Sequence, residues 1–385
     1  VGLGVSAPSE DLFAYAHARW ERIVWMSQNT NQLPTTPRLA AAVRKALESK
    51  RYMLYPHPRG LAGLHEAILA DLGLRDHDVL ITNGGIEATY MALRALLSPG
   101  DEVIACDPGF LPIHNQIALS GARPVELPIY GEPWRLTPAQ VGEAITPKTR
   151  MLLLIDPLNP LGSEYPREDV RAFCELAADH GLYILDDITY QDFAFHPTKT
   201  AEFAPERSLS IYSFSKNCGM AGMRCGALLA PPELMKRLAP YNTNVLGVNI
   251  LSQVAGLAAL NSKRDWFPRV LRTARANQKL VKDAVDEVEG AFLAVYPSSS
   301  NTLVIDIAKT GLAPEEIQRS LLFDHEIFIR AGNYVSRQFG DRFIRVSFTL
   351  PAAGVRKFQR AFPKVVRTLQ AAKGPSGGAA RARGC

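Results

Sequence analysis

Apolar positions recur along this chain with two different periods. Over Pro37–Ser49 the apolar residues Leu39, Ala42, Val43 and Leu47 fall three and four apart, which predicts a helix with one buried face. Leu61–Leu72 repeats the pattern, and further helical stretches run up to Leu97 and over Ile113–Ser120 and Arg167–His180. Between them lie short, continuous apolar runs: Val79–Thr82, Glu102–Cys106, Met151–Ile155, Leu182–Leu185, Leu209–Tyr212 and Gly226–Ala230. Runs this short and this apolar predict strands covered on both faces. Their alternation with helices predicts an α/β fold, a mostly parallel central sheet with helices on both sides.

Beyond Pro231 the pattern changes. A long helical region from Ile250 to Glu289 is expected to break near Pro268. Strands over Thr302–Ile307, Ile327–Arg330 and Phe343–Phe348, with helices over Ala313–Phe323 and Gly354–Leu369, predict a smaller α+β domain. The expected organisation is an N-terminal segment (1–45) joining that small domain, a large domain (46–280), the small domain itself (281–370) and a tail (371–385). The tail is rich in Ala, Gly and Arg and too poor in apolar surface to offset its ordering entropy, so disorder is expected there.

Composition narrows the function classes. Of 385 residues, 47% are hydrophobic and 21% charged, which excludes a disordered, collagen-like or coiled-coil chain. No apolar run reaches the length of a membrane span. The net charge is +5, and Lys373, Arg381 and Arg383 near the C-terminus carry three of those charges. The remainder is too weakly basic to suggest a nucleic-acid partner. Cys106, Cys174, Cys218, Cys225 and Cys385 show no paired spacing and no accompanying His cluster. Neither a disulfide framework nor a metal site is expected, and a reducing, cytoplasmic setting fits. The N-terminus shows no basic start followed by an apolar core, so no secretory leader is expected, and its lack of Met points to a processed or trimmed beginning.

The sharpest chemistry lies in Ser213-Phe214-Ser215-Lys216-Asn217-Cys218-Gly219-Met220-Ala221-Gly222-Met223-Arg224, directly after an apolar strand. A lysine desolvated among small residues loses basicity and becomes a nucleophilic amine, as a Schiff base requires. Ser213, Ser215 and Arg224 are donors suited to a phosphate. Asn83-Gly84-Gly85-Ile86 joins a strand to a helix start, where free N–H groups form an anion site. Arg345 stands alone in the apolar strand Phe343–Phe348, where a buried guanidinium needs an anion.

These segments resemble the fold-type I pyridoxal-phosphate enzymes, the aspartate aminotransferase superfamily, and are nearest in style to its histidinol-phosphate aminotransferase branch. The resemblance spans roughly residues 20 to 370. It implies pyridoxal 5'-phosphate as cofactor, with Lys216 as its Schiff-base lysine. It implies that Gly85 and Ile86, by main chain, and Ser213, Ser215 and Arg224 hold the phosphate, and that Phe110 of Pro108-Gly109-Phe110 stacks on the pyridine ring. Asn159, in Asp156-Pro157-Leu158-Asn159-Pro160-Leu161-Gly162, and Tyr190 would meet the phenolic oxygen. Leu161 replaces the usual Thr, and Cys225 stands where an aliphatic residue is usual. Asp187 would keep the pyridine nitrogen protonated; the spacing to Tyr190 selects it over Asp186.

For the substrate, the resemblance implies that Arg345 clamps the α-carboxylate, that Arg330 recognises the side group, and that the amide-rich stretch Gln28–Pro34, including Asn31, lines the pocket. Tyr55 of Tyr55-Pro56-His57-Pro58 would reach the cofactor phosphate of a neighbouring subunit, so a homodimer with shared sites is implied. The expected activity is transfer of an amino group between an L-amino acid and a 2-oxo acid. The same residues would also serve a lyase, decarboxylase, cyclase or oxidase. A catalytically silent homologue fits poorly, because the set Lys216, Asp187, Tyr190, Asn159 and Arg345 is intact.

Overall fold

The computed structural model describes residues 11–373. In chain order its strands are β1 (Val24–Trp25), β2 (Asp78–Thr82), β3 (Glu102–Asp107), β4 (Arg123–Pro128), β5 (Thr149–Ile155), β6 (Tyr183–Asp187), β7 (Ser208–Ser213), β8 (Gly226–Ala230), β9 (Phe292–Leu293), β10 (Thr302–Asp306), β11 (Ile327–Phe328), β12 (Arg330–Ala331) and β13 (Phe343–Ser347).

Seven of these form the central sheet, in the order β2-β8-β7-β6-β5-β3-β4. The run from β7 to β4 is parallel, whereas β8 is antiparallel to both its neighbours. Strand β2 therefore points the same way as β7. The C-terminal ends of β2, β3, β5, β6 and β7, and the N-terminal end of β8, all open at one edge. In open sheets of this kind ligands bind beyond the carboxyl ends of the strands. Buried Leu, Ile, Val, Met and Ala from the inner strands form the core beneath that edge.

The expected strands of the large sheet are present, some longer than their apolar runs, whereas the strand expected over Ile327–Arg330 is split at Ile329 into β11, which pairs with β1, and β12, which pairs with β13. β6 continues two residues past Leu185, because Asp186 and Asp187 still pair in register with β5 and β7. β4 was not expected. It pairs only with β3, at the sheet edge, and a half-exposed strand containing Pro124 and Pro128 carries no continuous apolar run.

The second layer is a four-stranded antiparallel sheet, β12-β13-β10-β9. Ile344 and Val346 face a core shared with the helices Lys263–Asp286, Pro314–His325 and Ala352–Lys373. Phe343 and Arg345 face the other way, and Phe343 packs into the core of the large sheet. The N-terminal segment reaches this layer: β1 pairs with β11, and Ala16, Ile23 and Trp25 pack on Leu322 and Phe328.

The long helical region breaks at Ser262, not at Pro268. Ser262 ends one helix (Ile250–Asn261), with its hydroxyl on the carbonyl of Ala258 at 2.8 Å. Pro268 sits inside the next helix, Lys263–Asp286, one turn from its start. Trp266, Phe267 and Val270 of that helix pack into the core beneath the large sheet, while Val281, Ala284 and Val285 pack into the small one. Position 280/281 therefore lies within a continuous helix that spans both cores. Helical structure extends through Ala371–Lys373, and the remainder of the expected tail lies outside the described residues.

Candidate active site

Parallel strand direction brings distant residues to one cleft of about 290 Å³. Its walls carry Gly85, Ile86, Phe110, Asn159, Asp187, Tyr190, Ser213, Ser215, Lys216, Arg224, Arg330 and Arg345. Twelve of the fourteen residues singled out from sequence thus meet there. Each large-sheet strand that opens at this edge supplies a turn: β2 leads to Gly85, β3 to Phe110, β5 to Asn159, β6 to Tyr190 and β7 to Lys216.

Lys216 is half-buried, and among the described residues its Nζ makes no hydrogen bond or ion pair; the centroid of the Tyr190 ring lies 5.8 Å from it. Burial, reinforced by the charges of Arg345 and Arg224 and opposed by Asp187, lowers its pKa to about 8. The residue after it is clamped. Asn217 Nδ2 donates to Asp192 Oδ2 at 2.6 Å and to the Tyr212 hydroxyl at 3.0 Å. Asp192 in turn pairs with Lys263, which also pairs with Asp71, each at 2.6 Å.

The alternation of β6 separates the two neighbouring aspartates. Asp186 turns to the opposite face, where it accepts from the Thr200 N–H at 3.0 Å and the Thr200 hydroxyl at 2.9 Å. Asp187 turns into the cleft and accepts from the Thr189 N–H at 3.1 Å. Burial raises the pKa of Asp187, against the hydrogen bonds of Thr189 and the charge of Lys216. A partner cation in the cleft would oppose that rise.

The helix Gly85–Leu96 starts at the cleft. Glu87 folds back onto the Asn83 side chain at 3.1 Å and closes the turn. Gly84 holds φ +83°, a conformation that favours glycine. Strand β8 can approach this turn only because residue 226 is glycine: a Cβ there would lie 2.6 Å from the Gly85 nitrogen. Beside these N–H groups stand the hydroxyls of Ser213 and Ser215 and the guanidinium of Arg224. The set is suited to a dianion.

Arg345 is 3% exposed, yet among the described residues no carboxylate meets it. Its Nη1 donates to Asn159 Oδ1 at 3.1 Å and its Nη2 to the Ser27 carbonyl at 2.9 Å, while Nε has no partner among the described residues. Burial, aided by Arg330, lowers its pKa to about 10. Arg330 sits directly across from it on β12. Its guanidinium lies between the rings of Phe13 and Tyr334, each centroid 4.1 Å away, and its Nε is also buried without a partner. Two unneutralised guanidiniums thus face one cleft.

Two expected residues lie elsewhere. Asn31 is a correction: its Nδ2 donates to the Asn217 carbonyl at 2.9 Å and its Oδ1 accepts from Leu33 N–H at 2.9 Å. Its amide is consumed behind the cleft, supporting the lysine loop. Ser27, Gln28, Asn29 and Thr30 line the cleft instead. The amide-rich stretch therefore reaches the site, but the turn through residues 28–30 decides which side chain faces it. Tyr55 is 79% exposed and lines a separate shallow groove with Tyr52, Met53, Leu54, Pro56 and residues of the 247–251 turn. Sequence reading also missed Thr89, Thr189 and Tyr334, which line the cleft without any motif to mark them.

The cleft is built around a lysine among polar side chains at the strand ends, and comparison with known proteins gives the class. Residues 21–362 match the family model for aminotransferase class I and II. An aspartate aminotransferase of Pyrococcus horikoshii is 27% identical, with 94% of each chain covered. A histidinol-phosphate aminotransferase of Moorella thermoacetica is 28% identical, with 91% of this chain and 86% of the relative covered. Among solved structures, an aspartate aminotransferase double mutant of Thermus thermophilus superposes with a TM-score of 0.82 at 23% identity, covering 95% of this chain and 100% of the other. The chain belongs to the class I and II aminotransferases. It is an enzyme that transfers nitrogenous groups with pyridoxal phosphate as cofactor.

The cleft fits that cofactor. It offers a half-buried amine without an acidic partner among the described residues, a carboxylate at its floor and a tight glycine turn backed by hydroxyls and Arg224. Among the described residues no helix is long and apolar enough to cross a membrane, and no group of three or more His, Cys, Asp or Glu could hold a metal.

Proposed function

We propose that Lys216 is the lysine that bonds the cofactor and that the enzyme moves an amino group between an L-amino acid and a 2-oxo acid in this cleft. The observation that carries the reading is that the half-buried Lys216, unpaired among the described residues, lines one cavity with Asp187, Tyr190, Asn159 and Arg345. The cofactor supplies an electron sink for the pair left when the substrate's Cα–H bond breaks. Asp187 would hold the pyridine nitrogen protonated. Gly85 and Ile86 by main chain, with Ser213, Ser215 and Arg224, would hold the phosphate. Phe110 would cover the ring face, and Asn159 and Tyr190 would donate to the phenolic oxygen.

Arg345 Nε, with no partner of its own, would take the substrate carboxylate, and Arg330 would meet a polar or anionic side group. Lys216 Nζ, once displaced by the substrate amine, would carry the proton from Cα. An amine whose pKa is held near 8 serves both as base and as acid at neutral pH. The exposed apolar cluster Tyr52, Met53, Leu54 and Tyr55, joined by Val245 and Leu246, supports a homodimer in which Tyr55 enters the partner's site. Cys106, Cys174, Cys218 and Cys225 are buried free thiols, which fits a cytoplasmic setting.

The test is the visible spectrum of the purified holoenzyme against a panel of amino acids, without a 2-oxo acid acceptor. Bleaching of the cofactor band with release of the matching 2-oxo acid is expected. Ammonia release, carbon dioxide release or oxygen uptake in its place would overturn the transfer reading in favour of lyase, decarboxylase or oxidase chemistry.

A further inference from the structure

We propose that Asn29 is a positioning residue: it fixes the direction in which Asn159 and Tyr190 offer hydrogen bonds to the cofactor. The proposal rests on the reading above, in which those two residues meet the phenolic oxygen. Asn29 comes from the N-terminal segment, is 6% exposed and lines the cleft. Its Nδ2 donates to Asn159 Oδ1 at 3.1 Å and to the Tyr190 hydroxyl oxygen at 3.2 Å.

The donor and acceptor inventory does the rest. An amide nitrogen carries two hydrogens, and Asn29 has two acceptors, one for each. Asn159 Oδ1 accepts from Asn29 and also from Arg345 Nη1, so both of its lone pairs are filled. With its oxygen held there, the Nδ2 of Asn159 remains as a free donor. The Tyr190 oxygen accepts from Asn29 and so keeps its own proton to give.

No other arrangement satisfies the group. Flipping Asn159 would set its NH2 against the donors of Asn29 and Arg345. Flipping Asn29 would set two amide oxygens against each other. The lock therefore leaves two donors, and no competing acceptor, for one anionic oxygen.

The backbone around Asn29 is held for this. Ser27 carbonyl accepts from Arg345 Nη2 at 2.9 Å, Thr30 carbonyl accepts from the Thr349 hydroxyl at 2.8 Å, and Gln32 N–H donates to the Thr349 carbonyl at 2.8 Å. The segment is thus fastened to β13 and the residues after it, while the Asn29 side chain reaches across to turns that follow β5 and β6. Its own Oδ1 is buried without a partner among the described residues.

The experiment compares wild-type holoenzyme with Asn29→Ala, Asn29→Asp, Asn159→Ala and the Asn29→Ala/Asn159→Ala double variant. The readout is the pH midpoint of the cofactor's visible absorption band, with near-ultraviolet circular dichroism to confirm folding. Donors to the phenolic oxygen stabilise its anion and hold that midpoint low. Asn29→Ala is expected to raise it by about half to one pH unit. Asn29→Asp is nearly isosteric and folds on the same packing, but it has no donor and accepts the Tyr190 proton, so a larger rise is expected. In the Asn159→Ala background the Asn29→Ala shift is expected to shrink by at least about half. An unchanged midpoint in folded Asn29→Ala and Asn29→Asp overturns the proposal, as does a shift of full size in the Asn159→Ala background. Wild-type protein that gains no cofactor band with added pyridoxal phosphate overturns the underlying reading as well, which sets that failure apart from a fault in the role of Asn29.

Discussion

Lys216 holds its amine in a site that disfavours charge, and the fold bears that cost whenever the cofactor is absent. With a pKa near 8 in the folded chain and an ordinary lysine value in the unfolded one, the folded state binds fewer protons between those values. Stability of the cofactor-free protein therefore rises with pH through that window, and the full cost is present below pH 8. Lys216→Met removes it. The cofactor-free variant is expected to exceed cofactor-free wild type by on the order of 3 kcal/mol at pH 7, with the gap closing above pH 10. Urea unfolding at both pH values checks this, and an equal gap at both would refute it. Arg345 faces the complementary situation, a buried cation that awaits an anion. Arg345→Gln is expected to raise KM for the amino acid at least about tenfold while lowering kcat less, measured in steady state with the acceptor saturating.

At the scale of elements, strand ends do the positioning. The sequence pattern located the inner strands because burial on both faces writes a continuous apolar run. For β6 it understated the length, because that strand ends in two polar residues, Asp186 and Asp187, which break the apolar run while the ladder continues. The edge strand β4, half exposed and containing two prolines, left no such run to read. The helix break at Ser262 was invisible for a different reason: a single serine bonding back to a carbonyl has no periodicity. The contact of β8 with the helix start at Gly85 yields a prediction. Gly226→Ala places a Cβ 2.6 Å from one backbone nitrogen and 2.7 Å from the Gly84 carbonyl carbon, neither of which can yield like a flexible side chain. A loss of about 1–3 kcal/mol in stability and a weakened hold on the cofactor are expected. Gly222→Ala, where an added Cβ meets nothing within 4 Å, is the matched control and should change neither thermal unfolding nor cofactor titration.

At the scale of the whole molecule, the cleft lies between two layers that contribute different walls to it. The large sheet supplies the lysine and the anion turn. The small sheet supplies Arg345 and Arg330, and the N-terminal segment laces the two together. Asp107, at the end of β3, accepts from the Gln338 N–H at 3.0 Å, and Gly109 N–H donates to the Val335 carbonyl at 2.9 Å. These bonds hold the loop after Tyr334 against the turn that bears Phe110. The surface patch at residues 52–55 carries the last prediction. Leu54, 78% exposed, would be covered in a dimer, so Leu54→Glu is expected to shift the protein toward monomer in sedimentation velocity and to lower cofactor retention. A variant that sediments like wild type would remove this patch as the interface.

The sequence alone determined the fold class, because continuous apolar strands alternating with amphipathic helices admit few packings other than a covered parallel sheet. It also marked Lys216, Arg345 and the turn at Gly85, because they are chemically out of place where they stand: charges in or beside apolar strands, and glycines at a helix start; Phe110, Asn159, Asp187, Tyr190 and Arg330 were picked out by the resemblance to the family. Only the tertiary structure decided between near neighbours of like chemistry. Asn29 and Asn31 differ by one turn of irregular chain that no periodicity governs, and the packing of Asn217 and Asn159 against that segment settles which amide faces the cleft. Tyr334 and Thr189 became part of the site for the same reason: nothing in their local sequence distinguishes them, and their place is set by where whole elements come together.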